Sequence, residues 1–192
     1  MSKATIKTNN DPTALEKKIQ LRLNSIEYIS KESITVLECF GGEGVLWREV
    51  QKRTDKVIST LAIDQKKYKR FQLQGDSLKV LPSLDLSKFD VIDLDSYGIP
   101  FDHCSVVFSK GFTGIIHCTV IQSGMGNLPN GLLEATGFSK TMMKKARTLL
   151  SKNGSKQFKS WLANKGVKTI ECLNMGRKNY FWFDASQMAG NE

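Results

Sequence analysis

The sequence predicts an α/β fold, a mixed sheet with helices on both faces. Three observations carry that expectation. Two hydrophobic runs, 35–39 and 57–63, are separated by a glycine-rich turn, Gly41-Gly42-Glu43-Gly44, and by a segment able to form a helix. Strand, turn, helix and strand in that order make a parallel crossover unit. A later run, 113–121, carries Ile115, Ile116, Cys118, Val120 and Ile121 and is almost continuously apolar, as expected of a parallel strand covered on both sides.

Taken in order, residues 1–11 read as a disordered tail and 12–192 as a single domain that opens with a covering helix. From Pro12 to Ser30 the apolar residues Leu15, Ile19, Leu23 and Ile26 recur at near-helical spacing. Asp11 suits the cap and Pro12 the first helical position. This helix is expected to lie over one face of the sheet or over a ligand cleft. The first strand is placed at 35–39 and the helix after the glycines at 44–52. The second strand, 57–63, leads into Asp64, and 66–70 can form a short helix. A short third strand is expected at 71–74, a fourth at 89–95 and the fifth at 113–121. Residues 122–129 then form a loop at the carboxyl end of the fifth strand, where open α/β sheets place their ligand crevice. A basic helical region, 139–161, precedes two closing strands, 167–173 and 179–184.

The turn after the first strand suits a nucleoside. Glycines let the backbone approach a ligand closely, and an acid ending the second strand can bind ribose hydroxyls. Gly42 and Gly44 match two glycines of the dinucleotide fingerprint, but Trp47 stands where the third belongs, and no G-x-x-x-x-G-K-[ST] sequence occurs. Glu38, ahead of the turn, would repel phosphate and attract an ammonium group. Glu38 followed by Gly42 and Gly44 resembles motif I of the class I S-adenosylmethionine-dependent methyltransferases. The resemblance implies a Rossmann-like, seven-stranded mixed sheet of order 3-2-1-4-5-7-6, and S-adenosylmethionine as cofactor. It implies that Glu38 faces the methionine end and Asp64 the ribose, and that Asp76, with Ser77 beside it, takes the adenine amino group. Phe40 replaces the first glycine of the commonest form of the motif, which is similar to enzymes that methylate exocyclic amino groups of nucleic-acid bases.

The run Asp93-Leu-Asp-Ser-Tyr-Gly98 resembles motif IV of amino methyltransferases, most closely the D-P-Y-G form of tRNA guanine-N2 dimethyltransferases, with Ser96 in place of proline. That exchange frees φ and adds a hydroxyl, which bears on the rigidity of the loop. Methyl transfer from a sulfonium is an in-line displacement, in which an enzyme chiefly positions the nucleophile and arranges charge. An exocyclic base amine is a poor nucleophile because its lone pair is shared with the ring. Asp95 is expected to accept hydrogen bonds from that amine and to border the cofactor, and Tyr97 to stack on an extruded base. Asp93 is a structural alternative at the same strand end. A cytosine-C5 mechanism needs an activated thiol, usually in a Pro-Cys loop, and no cysteine here follows a proline. His103 and His117 stand apart from any spaced acid–histidine cluster, which disfavours metal-dependent transfer. His117 is expected in the core, and His103 either there or lining the pocket.

The composition is that of a globular protein, and no apolar run is long enough to span a bilayer. The polar N-terminus and the four widely spaced cysteines, Cys39, Cys104, Cys118 and Cys172, favour a cytoplasmic protein with reduced core thiols. The formal net charge of +9 favours a polyanionic partner, RNA before DNA, and no membrane. Lys140, Lys144, Lys145 and Arg147, extended by Arg177 and Lys178, are the candidate phosphate track, although a solvated face has the same composition. Lys66, Lys67, Lys69 and Arg70 are further contributors. The expected function is therefore methylation of an exocyclic amino group of a nucleic-acid base, with tRNA guanine favoured. A protein or small-molecule methyltransferase is one alternative. A noncatalytic cofactor-binding or RNA-binding partner subunit is another. The chain has no room for the additional carboxyl-terminal domain of the tRNA dimethyltransferases, so a homodimer, a partner subunit or a structured substrate is expected to complete the site.

Overall fold

The chain runs α1 (Pro12–Ile26), β1 (Ser33–Cys39), α2 (Val45–Gln51), β2 (Val57–Asp64), β3 (Leu73–Gln74), α3 (Ser77–Val80), β4 (Val91–Leu94) and α4 (Phe101–Ser109). It continues through β5 (Ile115–Ile121), α5 (Asn130–Ala135), α6 (Lys140–Leu150), α7 (Gly154–Asn164), β6 (Ile170–Met175) and β7 (Lys178–Asp184). The computed structural model describes residues 12–121, 128–150, 153–176 and 178–188. The expected tail 1–11 and residues 122–127 of the expected loop lie outside that set.

The strands form one seven-stranded sheet in the order β3-β2-β1-β4-β5-β7-β6. β1 pairs in parallel with β2 and β4, and β4 with β5, while β7 runs antiparallel to both β5 and β6. The carboxyl ends of β1, β2 and β4 therefore share one edge. This is the order that the motif I resemblance implies. Alternate residues of the strands feed two cores. Leu37, Cys39, Ile92, Leu94, Cys118, Phe181 and Phe183 pack with Cys104, Val107 and Phe108 of α4 and Phe158, Trp161 and Leu162 of α7. On the other face Ile34, Val36, Val91, Ile115 and Trp182 pack with Ile19 and Ile26 of α1 and Trp47 and Val50 of α2. All four cysteines are free, and Cys39, Cys104 and Cys118 are buried. Burial pushes the Cys39 thiol up, so it packs as an inert apolar group.

Three expectations are corrected. Residues 66–70 are not helical. Asp64 Oδ1 instead accepts the Lys66 N–H at 2.9 Å, and Gln72 Nε2 donates to the Lys66 carbonyl at 2.6 Å, so side chains close the turn. The basic region 139–161 is two helices, α6 and α7, because Asn153 and Gly154 start a second one. The third strand shrinks to Leu73–Gln74. Helices α4 and α5 were not anticipated. α4 follows Pro100 and bears Asp102 in its first turn, two helix-start signals that lie next to the motif IV loop.

Candidate active site

The glycine turn is held in backbone states that a Cβ resists. Gly42 has φ 50° and Gly44 φ 68°. Phe40, at the position where the commonest motif has glycine, takes φ 79°, and it is alone among the described non-glycine residues in doing so. That conformation costs an ordinary residue about 1–3 kcal/mol and is tolerated where surroundings impose it. Here the Phe40 N–H donates to the Ile63 carbonyl at 2.9 Å, and its ring meets His103 edge-on at 5.1 Å between centroids. A Cβ on Gly41 would lie 2.8 Å from Glu38 Oε2 and 2.9 Å from Ala62 Cβ, so the chain is pressed onto the sheet there. Nothing lies within 4 Å of a Cβ position on Gly42, which faces open space.

Glu38 is buried at the end of β1 and carries a forked ion pair. Arg70 Nη1 donates to Oε2 at 3.0 Å and Nη2 to Oε1 at 3.2 Å. The same guanidinium reaches Thr60 Oγ1 at 3.2 Å and the Gly41 carbonyl at 3.4 Å. Burial raises the Glu38 carboxyl above its usual range, and Arg70 pulls against that rise. A carboxylate has about four lone-pair sites, so Glu38 retains acceptor capacity beyond Arg70. Asp64, ending β2, accepts the Gly42 N–H through Oδ2 at 3.1 Å. Asp76 caps α3 by accepting the Leu78 N–H at 3.0 Å, and Ser77 Oγ lies 2.9 Å from His103 Nε2. Burial lowers the pKa of His103, although Asp76 and Asp102 oppose the shift. The expected cofactor residues thus lie at or just beyond the carboxyl ends of the adjacent strands β1, β2 and β3, with His103 beside Phe40 and Ser77. Acceptors at Glu38 and Asp64 and an open approach over Gly42 fit S-adenosylmethionine.

β4 supplies the second half of the site. Asp93 is buried and structural: Arg22 donates to it through Nε and Nη2, both at 2.8 Å, and Trp47 through its indole N–H at 2.7 Å. Trp47, out of place for a dinucleotide fingerprint, has that bond as its task. Arg22 is 2% exposed and also donates to the Lys18 carbonyl at 3.1 Å. Asp95 is the more accessible acid, its side chain 26% exposed. Lys18 Nζ meets its Oδ2 at 2.5 Å and Thr119 donates to Oδ1 at 2.5 Å. Burial opposes its charge, but Lys18 and Arg22 outweigh burial and hold the carboxyl below the usual aspartate range. Asp95 is therefore an ionised acceptor near neutral pH.

Tyr97 is 80% exposed beside it. The loop between them is fixed despite the missing proline. Ser96 is buried with its hydroxyl 3.5 Å from the Thr119 carbonyl, and the Gly98 carbonyl accepts the Ile121 N–H at 2.7 Å. Gly98 takes φ 114°, a value that glycine reaches without strain. His117 is a core residue. Its Nε2 lies 2.7 Å from Ser25 Oγ, whose own proton goes to the Arg22 carbonyl. Ser25 must then accept from His117, which places the imidazole proton on Nε2 and leaves Nδ1 without a partner among the described residues.

The basic residues of α6 make no ion pair with these acids among the described residues. Lys140, Lys144 and Lys145 are exposed on α6 and, with Thr141, line a shallow concavity. Met143 seats the helix on Leu128 and Leu133, and Ile99 of the motif IV loop packs into the same cluster. That contact sets α6 beside the loop that carries Asp95 and Tyr97. Lys178 begins β7 opposite Met175. Arg177 and the Arg147 side chain lie outside the described set. Sequence reasoning missed Lys18, Arg22 and Arg70 as members of the site. For Arg22 a signal existed, since it sits between Ile19 and Ile26 on the apolar stripe of α1.

No family model matches the chain, and no curated protein matches it. Solved structures do. A candidate S-adenosylmethionine-dependent methyltransferase from Methanococcus maripaludis is 14% identical with a TM-score of 0.52, over 93% of this chain and 90% of that one. The plantazolicin methyltransferase BamL, solved with a triazolic desmethylPZN analog and SAH, is 12% identical with a TM-score of 0.51, over 90% and 84%. The CurJ carbon methyltransferase is 16% identical with a TM-score of 0.50, over 90% of this chain and 55% of that one. At such identities the likeness carries the fold, and the fold is that of class I methyltransferases.

Proposed function

We propose that this chain is an S-adenosylmethionine-dependent methyltransferase acting on an exocyclic amino group of a nucleic-acid base, RNA before DNA, with tRNA guanine as the leading acceptor. The observation that carries the reading is the pairing of ionised Asp95 with exposed Tyr97 at the strand edge that also holds the glycine crevice. The structural neighbours bear names that point to different acceptors, so the acceptor class rests on this loop and on the charge of the chain.

When bound, the cofactor supplies an electrophilic methyl group. Glu38 and Asp64 would hold its polar ends, and the open space over Gly42 would let it approach the backbone. Asp95 accepts a hydrogen bond from the target amine, which favours the pyramidal nitrogen needed for in-line attack. The target nitrogen would take the methyl as the carbon–sulfur bond of the sulfonium breaks and its electron pair stays on sulfur as a neutral thioether, and the nitrogen would lose one proton. Asp95 lies where that proton first leaves, and solvent takes it onward through the exposed side of the carboxylate. Tyr97 offers a stacking face for a base lifted from its neighbours. The exposed lysines of α6 suit the phosphates beyond.

A second reading has its own support. Lys18 and Thr119 engage both oxygens of Asp95, and Arg70 engages both of Glu38, as in a noncatalytic cofactor-binding or RNA-binding subunit. Incubation with labelled cofactor and total tRNA, genomic DNA or protein extract separates the two. Label in tRNA is the expected result. No label in any pool, alongside measurable cofactor binding, supports the noncatalytic reading. Asp95→Ala is expected to reduce turnover by about 100-fold or more while cofactor affinity stays within about threefold. Unchanged turnover would remove Asp95 from the chemistry.

A further inference from the structure

The segment from Gln65 to Gln72 joins β2 to β3 and holds four cations and two aromatic rings in the run Lys66-Lys-Tyr-Lys-Arg-Phe71. Arg70 fixes one side of it. Arg70 turns inward and is fastened to Glu38, Thr60 and the Gly41 carbonyl. With Arg70 anchored under the glycine turn, its neighbours are directed out: Lys69 is exposed, and Phe71 is 82% exposed. Lys66 and Lys67 are exposed as well. Among the described residues none of these three lysines has an ion-pair partner, although Asp64 is close by, with its oxygens on the Gly42 and Lys66 backbone amides. The loop is pinned from below by Asp64 and across itself by Gln72 and Gln74, whose amides donate to the carbonyls of Lys66 and Gln65.

A single exposed phenylalanine is ordinary. A phenylalanine turned out beside a part-buried ion pair, among three unpaired lysines, next to the ligand edge of a parallel sheet, has the two features of a single-strand binding surface: a cationic track and a stacking platform. We propose that the 65–72 loop binds single-stranded RNA, with Lys66, Lys67 and Lys69 on phosphates and Phe71 stacked on an unpaired base. The proposal rests on the nucleic-acid reading above and adds a contact on the far side of the cofactor crevice from α6. Phe71 leads into β3 and Tyr97 follows β4, with β2 and β1 between them, so the two rings stand three strand spacings apart, roughly 14 Å at about 4.8 Å per strand. A strand laid along that edge reaches both rings. An intact duplex keeps its bases stacked and offers nothing to Phe71, so unpaired RNA is the favoured occupant.

The test uses fluorescence anisotropy with a labelled, unstructured oligouridylate and a blunt RNA duplex, titrated across a range of salt. Phe71→Ala is expected to weaken oligouridylate binding about tenfold with the salt dependence unchanged, and Phe71→Trp to restore it. Lys66→Gln, Lys67→Gln and Lys69→Gln combined are expected to reduce the slope of log affinity against log salt by about 2, at about 0.7 per single-strand phosphate contact. Duplex binding is expected to be insensitive to Phe71→Ala. Urea midpoints equal to wild type confirm that the variants fold. Wild-type binding of oligouridylate that none of these variants alters would overturn the loop assignment and leave the proposed function standing. Wild type that binds neither oligouridylate nor tRNA would overturn the nucleic-acid reading itself.

Discussion

Arg22→Met tests whether the covering helix is held by charge. Arg22 and Asp93 are both essentially buried and joined by two bonds of 2.8 Å, which tie α1 to β4. Methionine is an unbranched helix former that fills the apolar part of the space and leaves out the guanidinium, so helix propensity changes little. What changes is Asp93, left in the core with the Trp47 indole as its remaining side-chain donor. Removing one member of a buried pair costs about 3–5 kcal/mol, because the other is stranded away from water. With a urea m-value of about 2 kcal/mol/M, the unfolding midpoint is expected to fall by about 1.5–2.5 M. Adding Asp93→Asn removes the stranded charge and keeps an acceptor for Trp47, so the double variant is expected to recover more than half of the loss. Urea unfolding followed by tryptophan fluorescence and by circular dichroism measures both. A single-variant midpoint within about 0.5 M of wild type, or a double variant no better than the single one, would refute the reasoning.

Two further predictions concern the basic helix and the buried histidine. Charge reversal at Lys144 and Lys145 is expected to weaken RNA binding and to flatten its salt dependence by about 1.4 in slope, two contacts at about 0.7 each, and an unaltered slope would make α6 a solvated face. Burial, with Arg22 nearby, holds the His117 pKa well below its ordinary value. The unfolded chain therefore binds a proton below about pH 6.5 that the folded chain refuses, so this contribution to stability is present above that pH and is lost as pH falls. The loss approaches about 1.4 kcal/mol per pH unit, and His117→Gln is expected to remove it; equal pH slopes of the urea midpoint for both proteins would contradict the assignment.

The sheet was legible because its signals are local. The runs at 35–39 and 57–63 needed only their apolar residues, and the acids and glycines between them needed only their spacing. The motif I resemblance then ordered the strands correctly from first to last. What was not legible depends on partners distant in sequence. Lys18 reaches Asp95 across 77 positions, Arg22 reaches Asp93 across 71, and Arg70 reaches Glu38 across 32. Nothing within a helical window says which lysine of α1 turns to a strand end. The failure of a helix at 66–70 has the same origin, since Arg70 is drawn inward by an acid on another strand. Phe40, read from the sequence as a mark of enzymes that act on base amines, has a backbone meaning that reading did not contain: it takes the left-handed conformation that glycine would otherwise take.

The charges at the strand edge also constrain each other. Glu38 and Asp93 are register neighbours on β1 and β4, and Asp95 follows two residues later. Three carboxylates so close are tolerable only because three cations, Arg70, Arg22 and Lys18, meet them one to one. A cationic ligand gains little from a neutralised cluster unless one of those cations yields. Arg22 is the least able to do so, since three bonds hold it in a space closed to water. Lys18 and Arg70 keep 19% and 17% of their side-chain surface exposed, so each has solvent to move into. The two cations with that freedom sit on the two carboxylates assigned to the cofactor and the target amine, while the fixed one sits on the carboxylate that only holds the fold. Exposure and proposed role divide along the same line, which is the arrangement expected of a site whose acids must exchange partners while its frame stays still.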